Sequence, residues 1–270
     1  MATDNKRNII ICYSGGLDSF LLWQLYKHEY DLNTHSCKCI FYDIGQPYLN
    51  KELQSIKDSG TSVEIKKIDW LDNTSKLIGK EGSLSGDIII PGRNALLATM
   101  VACQEQPDEI WMGALQGEIH EKSTDKNYKF LEKWNNLMQY VLQKDITLRF
   151  PFADMGFGKF EVIDWALKNG YVTKQQLIQT SSCLSAENGK CGQCVVCFRR
   201  WGIFYQLGFS ETFNVFPLTV HQNKMMINEM IKGELGEKCH YDEFRRRELM
   251  PAVLKYYDCN LDELKIRINE

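Results

Sequence analysis

Residues 8–30 read NIIICYSGGLDSFLLWQLYKHEY, and the punctuation of this stretch decides the fold. Ile9 to Cys12 is an apolar run of strand length, and Leu17 to Tyr30 carries apolar residues at helical spacing. Between strand and helix comes Tyr13, followed by Ser14, Gly15, Gly16, Leu17, Asp18 and Ser19. Two glycines let the backbone turn tightly, and small hydroxyl residues beside a helix N-terminus present N–H and O–H donors to a polyanion. The segment is therefore a candidate phosphate cradle. It lacks the GK[ST] ending of a Walker A loop and the GxGxxG spacing of a dinucleotide fingerprint. The competing reading is a plain strand-to-helix turn, in which Ser14 caps the helix and Asp18 offsets its dipole.

The same alternation continues outward. Cys39 to Tyr42, Val63 to Ile68, Glu109 to Met112 and Ile146 to Phe150 read as buried strands. Helix-period segments separate or follow them at Tyr48 to Ser59, Asn94 to Gln104, Tyr128 to Gln143 and Phe160 to Asn169. Strands joined by helices of this length predict an α/β fold, a doubly wound parallel sheet of about five strands, with ligands beyond the carboxyl ends of the strands. After Ser210 the alternation stops and helical spacing runs to Glu270. The expected organisation is residues 1–180 as the nucleotide-binding domain, 181–209 as a cysteine-rich metal segment and 210–270 as a C-terminal helical extension. Within that extension the run FRRRE, Phe244 to Glu248, reads as a solvated helix face.

Composition narrows the class. The 270 residues are 44% hydrophobic and 25% charged, typical of a folded globular chain. No apolar stretch approaches the roughly 20 residues of a membrane span, and the N-terminus MATDNKRN shows no secretory h-region, so a cytoplasmic protein is expected. A net charge of −3 and a pI near 6.0 supply no global basic field, so small substrates are expected rather than direct nucleic-acid binding.

SGGLDS directly after an apolar first strand resembles the PP-loop of ATP pyrophosphatases, ligases that hold the departing pyrophosphate. Three further segments, in order, resemble one PP-loop family, the 7-cyano-7-deazaguanine synthases of queuosine-precursor biosynthesis. These are FYDIGQPYLNKEL after the second strand, IIIPGRNALLATMVA with its PGRN opening a helix, and PFADMGFGKFEVIDWALKNGY with its Lys-x-Glu. The resemblance covers roughly the first 205 residues and implies an adenine-nucleotide-hydrolase-like PP-loop fold. It implies that Tyr13, Ser14, Gly15, Gly16, Leu17, Asp18, Ser19 and Asp43 bind ATP with Mg²⁺, and that Asp18, Ser19 and Arg93 serve catalysis. It also implies that Gln46, Arg93 and Asn94 face the substrate. A homodimer is typical of the family.

Of the ten cysteines, four fall within fifteen residues: Cys183, then Cys191, Cys194 and Cys197 at C-x2-C-x2-C. Thiolates so spaced can converge on one soft cation, and a closed four-cysteine site suits structural zinc, one ion per chain. An iron–sulfur cluster is the alternative that this spacing leaves open. The lone cysteine before the triple and Arg199 after it are similar to the synthase family's zinc motif. Cys12 and Cys39 read as buried strand residues.

The loop GALQGEIHEKSTD departs from the family, which shows a tyrosine-proline-Asp-Cys stretch at this point. Its Glu118, His120 and Asp125 are candidate substrate or Mg²⁺ contacts because they follow a strand end. The resemblance implies a ligase that adenylates 7-carboxy-7-deazaguanine, admits ammonia to form the amide, and uses a second ATP to form the nitrile. The departing loop and the extension leave two other outcomes open, a deazaguanine amide ligase with another acceptor and a PP-loop tRNA-modifying enzyme.

Overall fold

A computed structural model describes residues 6–46, 48–68, 92–119, 125–185, 188–239 and 241–268. Strands β1 (Arg7–Cys12), β2 (His35–Asp43), β3 (Val63–Lys67), β4 (Glu109–Trp111) and β5 (Thr147–Arg149) form one sheet in the order β3-β2-β1-β4-β5. Every pairing is parallel. Helices α1 (Leu17–Glu29), α2 (Leu49–Ser59), α3 (Arg93–Glu105), α4 (Tyr128–Leu142) and the short α5 (Pro151–Asp154) follow the strands in turn. The α/β sheet of five parallel strands expected from the alternation is thus what the chain builds, and the strand and helix boundaries agree to within a few residues.

Period-2 alternation in β1 sorts the core into two layers. Ile9 and Ile11 enter a cluster with Leu17, Phe20 and Leu21 of α1. Ile10 points to the opposite layer, with Ala98 and Val101 of α3 and Leu131 and Trp134 of α4. Both faces of the sheet are covered, as a parallel sheet requires. Chain order runs outward from β1 through β2 to β3, then returns to β4 on the other side of β1. The strand order reverses between β1 and β4, which in such sheets opens a crevice at the carboxyl ends.

Past the sheet come α6 (Lys159–Lys168), α7 (Lys174–Gln179) and α8 (Val195–Gln206), then α9 (His221–Glu234), α10 (Glu243–Tyr257) and α11 (Leu261–Arg267). Within residues 210–270 the described α-helices are these last three. Ile227, Met230, Leu249, Val253 and Leu264 from these helices lie fully buried in the same apolar cluster as Ile9, Ile11 and the α1 side chains. By its packing the extension continues the layer on one face of the sheet.

Candidate active site and metal centre

The crevice between β1 and β4 holds a cavity of about 340 Å³. Cys12 and Tyr13 after β1 line it together with Ser14, Gly16, Leu17, Asp18 and Ser19, and Met112 to Leu115 after β4 face them. The glycine loop sits where the switch point of the sheet would put a ligand. Gly15 has φ +70°, and a Cβ there would come within 2.6 Å of the Glu52 carbonyl oxygen, so the first glycine lets the loop lie on α2. Ser55 Oγ donates to Gly15 O at 2.6 Å. Ser181 N donates to the same oxygen at 3.3 Å and to Ser55 Oγ at 2.9 Å. Inside the loop, Ser14 N donates to Ser19 Oγ at 3.1 Å and Ser19 Oγ to Gly16 O at 3.0 Å.

Gly16 is the N-cap of α1 and brings no side chain to cap it. The first N–H groups of a helix have no intrahelical partner, so those of α1 remain available to an anion. Asp18 accepts from Lys159 Nζ at 3.1 Å through Oδ2. Its Oδ1 is buried with no hydrogen-bond partner among the described residues. Tyr13 lines the cavity, but its hydroxyl is turned away to Ser59 Oγ and Thr61 Oγ1, each at 3.3 Å.

The second group lies around α2 and α3. Gln46 accepts from Ile44 N at 3.0 Å and donates to Glu52 Oε2 at 2.5 Å. Arg93 opens α3 and faces Tyr48 and Glu52. Burial pushes the Glu52 carboxyl up to about 7, against the opposing pull of Gln46 and Arg93. Asp43 accepts from Gly45 N at 2.9 Å and shapes the turn after β2. It does not line the cavity, nor do Gly15 and Asp125. Asp125 Oδ2 instead accepts from Asn94 N at 3.2 Å, so the anion at the start of α3 is the chain's own carboxylate. His120 lies outside the described residues.

Glu118, in a 3-10 turn at Gln116–Glu118, stands in a ring of cations. Lys126 Nζ is 3.4 Å and Arg245 3.7 Å from its carboxylate oxygens. Burial would raise this carboxyl, yet Lys126, Lys159, Arg245 and Arg199 together hold it down at about 2. All four cations line the cavity. Arg245 corrects the reading of FRRRE as a solvated face. At about 100° per residue, adjacent arginines on a helix leave in different directions. Arg247 is exposed and pairs with Glu243, Arg246 pairs with Glu234, and Arg245 turns into the cavity. Glu52, Lys126 and Arg245 were not visible as site residues in the sequence. Lys159 carried a signal in its Lys-x-Glu setting, and Arg199 in following the cysteine triple.

Behind the cavity the four cysteines converge. The sulfurs of Cys183, Cys191, Cys194 and Cys197 all lie within 4.8 Å of one another. Cys191 Sγ and Cys197 Sγ are 3.8 Å apart, the separation that a tetrahedron of Zn–S bonds of about 2.3 Å would give. The group can hold one metal ion, and sulfurs this close would have to spread to cap the irons of a cluster. N–H groups of Ser185 and Cys191 donate to Cys183 Sγ, that of Cys194 to Cys191 Sγ, and that of Cys197 to Cys194 Sγ, each at 3.4 Å. Such donors favour thiolates. Four protein sulfurs leave no open position, so a metal held here would be structural.

Arg200 joins this knuckle to the glycine loop. It is buried, gripping Glu211 through Nε and Nη2 at 2.8 Å, and Nη1 donates to Thr180 Oγ1 at 3.0 Å and Ser182 Oγ at 3.2 Å. Ser181, held between those two, carries the N–H that ties down Gly15. Cys12 is unsuited to nucleophilic work, because burial and the adjacent Cys39 push its thiol up to about 12.

The family model described as Queuosine biosynthesis protein QueC matches residues 8–208. The chain belongs to this family. It is 25% identical over 224 residues to the 7-cyano-7-deazaguanine synthase of Marinobacter nauticus, covering 76% of this chain and 95% of that one. The synthase of Methanobrevibacter smithii is 24% identical over 223 residues, covering 72% and 91%. Among solved structures, the U34-tRNA thiolase NcsA from Methanococcus maripaludis with its [4Fe-4S] cluster is 16% identical. It aligns at a TM-score of 0.40 over 64% of this chain and 60% of the thiolase. No described helix is long and apolar enough to cross a membrane.

Proposed function

We propose that this chain converts 7-carboxy-7-deazaguanine and ammonia into 7-cyano-7-deazaguanine with two ATP, as a cytoplasmic enzyme of the QueC family. The observation that carries the reading is the uncapped N-terminus of α1 at the switch point of the sheet, lined by Ser14, Gly16 and Ser19. That is a seat for a polyphosphate, and a carboxylate needs just such help to lose an oxygen.

In the first step a carboxylate oxygen attacks the α-phosphorus, the bond to the bridging oxygen breaks, and pyrophosphate leaves onto the loop. The helix N–H groups and Lys159 offset the charge that develops there. Asp18, whose buried Oδ1 lacks a protein partner, fits the Mg²⁺ that accompanies ATP. Ammonia then attacks the acyl carbon, the carbon–oxygen bond to AMP breaks, and one proton is released with formation of the amide. In the second round the amide oxygen attacks another α-phosphorus, and loss of AMP and two protons leaves the nitrile. Glu52, poised near neutrality beside Gln46 and Arg93, is suited to exchange such protons. Cys183, Cys191, Cys194 and Cys197 would hold a zinc ion apart from the chemistry, where it would stabilise the segment that carries the Arg200 and Ser181 contacts behind the loop.

One observation favours a second reading, in which the amide is the product or is passed to another acceptor. Arg245, Glu248 and Leu249 line the cavity from α10, beyond the residues that match the family. Incubation of the full chain with ATP, Mg²⁺, 7-carboxy-7-deazaguanine and ammonia, followed by mass spectrometry, separates the two. The nitrile with two AMP per turnover is the expected result. An amide with one AMP supports the second reading, and absence of ATP use with this substrate removes both.

A further inference from the structure

The helix that continues past the family-matched residues is built into the cavity wall. Phe244 of α10 packs against two glycines at the rim: a Cβ on Gly117 would come within 2.7 Å of its ring, and one on Gly158 within 2.4 Å. One helical turn on, Glu248 Oε1 accepts from Phe160 N at 3.1 Å, at the start of α6. Gln206 Nε2 on α8 donates to the Glu248 carbonyl oxygen at 2.5 Å. Leu249 is buried in the core and approaches Gly202 of α8. A ring in a two-glycine notch and a carboxylate on a helix start fix both the rotation and the depth of α10. Arg245 lies between these anchors and lines the cavity.

Its guanidinium is underused where it stands. The ion pair with Glu118 spans 3.7 Å, beyond hydrogen-bond distance, and no acceptor among the described residues takes a hydrogen bond from it. Lys126, Lys159 and Arg199 crowd the same carboxylate. Lys159 is shared with Asp18 and Glu248, but Lys126, Arg199 and Arg245 together still carry far more donors than Glu118 can accept. Lys159 bridges the cluster to Asp18 in the first turn of α1, so the cations continue the wall of the glycine loop. A polyphosphate seated on that loop would run toward them.

We propose that Arg245, supplied by α10 from outside the family-matched residues, is a phosphate-binding arginine that completes the nucleotide site with Lys126, Lys159 and Arg199. The assignment rests on the ATP-dependent reading above. Arginine suits the task because its planar fork can hold two phosphate oxygens at once.

The test is calorimetric titration of the full chain with inorganic pyrophosphate and, separately, with Mg-ATP, alongside the unfolding midpoint of each variant. Arg245→Gln should weaken pyrophosphate binding by roughly tenfold or more, and Arg245→Lys should recover part of the loss. Arg247→Gln, on the same helix but facing solvent, should bind within about twofold of the parent. A merely structural Arg245 would serve only to neutralise Glu118, and then pairing Arg245→Gln with Glu118→Gln would restore affinity. Such restoration overturns the proposal, as does unchanged affinity in a folded Arg245→Gln. If the unaltered chain binds neither Mg-ATP nor pyrophosphate, the ligase reading falls and the arginine's role falls with it.

Discussion

The knuckle and the glycine loop are both short turns leading into a helix, yet they treat their hydrogen-bond donors in opposite ways. At α8 the N-cap is Cys194, whose sulfur accepts from Cys197 N. Three more backbone N–H groups of the knuckle also end on sulfur. The knuckle consumes these donors on sulfurs placed to hold one ion. At α1 the N-cap is Gly16, which offers no side chain, and the loop is held from behind through Gly15 O by Ser55 and Ser181. The loop spends Ser14 N and Gly16 N on its own serine hydroxyls, but the first N–H groups of α1 stay open. Closure of donors on the chain itself therefore marks a structural turn, and donors held open by a rigid backing mark a binding turn.

The sharpest way to break this contrast is to open the knuckle. Cys197→Ala, or removal of the metal by a strong chelator, takes away one corner of the tetrahedron or its centre. Structural zinc contributes on the order of 10 kcal/mol to folding in small zinc domains, and here the loss propagates through Arg200 and Ser181 to the loop. We expect one zinc per chain by elemental analysis of the purified protein and its loss in Cys197→Ala. The variant should also lack the cooperative thermal transition of the parent. A variant that unfolds like the parent would make the knuckle dispensable and end the comparison.

Altering the loop should do the reverse. Ser19 Oγ accepts from Ser14 N and donates to Gly16 O, so Ser19→Ala removes a net stabilisation of about 1 kcal/mol per bond. If the hydroxyl also helps hold the departing pyrophosphate, turnover should fall by roughly 100-fold. Steady-state kcat beside urea unfolding reads both numbers. A stability loss without a turnover loss would make the loop a structural turn after all.

The two regions also differ in how far they could be read from the chain. Ser14 to Ser19 and the four cysteines announce themselves because their chemistry depends on local spacing, and β1 to β5 and α1 to α4 do so because burial imposes periods of 2 and 3.6. What stayed hidden depends on neighbours far along the chain. Arg245 meets Glu118 across 127 residues, and which of three successive arginines turns inward is set by Phe244 finding its notch at Gly117 and Gly158. Asp125 accepts from Asn94 N at the start of α3, from 31 residues along the chain. Glu52 reads as an ordinary helix acid, because the arginine that faces it, Arg93, stands at the start of another helix.

Glu52 offers the mildest test, and it probes the pocket without touching the loop's donors. Its carboxyl titrates near 4.5 in an open chain and is raised by burial to about 7 in the fold. Between those values the folded protein holds a proton that the unfolded chain has released, so stability falls as pH rises through this window. The loss amounts to about 3 kcal/mol once both states are ionised. Glu52→Gln keeps the shape and a partner for Gln46 but cannot ionise. Urea unfolding of parent and variant near pH 4.5 and near pH 8 should show the variant gaining by about that amount at the higher pH. A difference independent of pH would mean that Glu52 ionises as it would in water. The group poised for proton exchange would then have to be sought elsewhere in the cavity, while the open donors of α1 would stand unaffected.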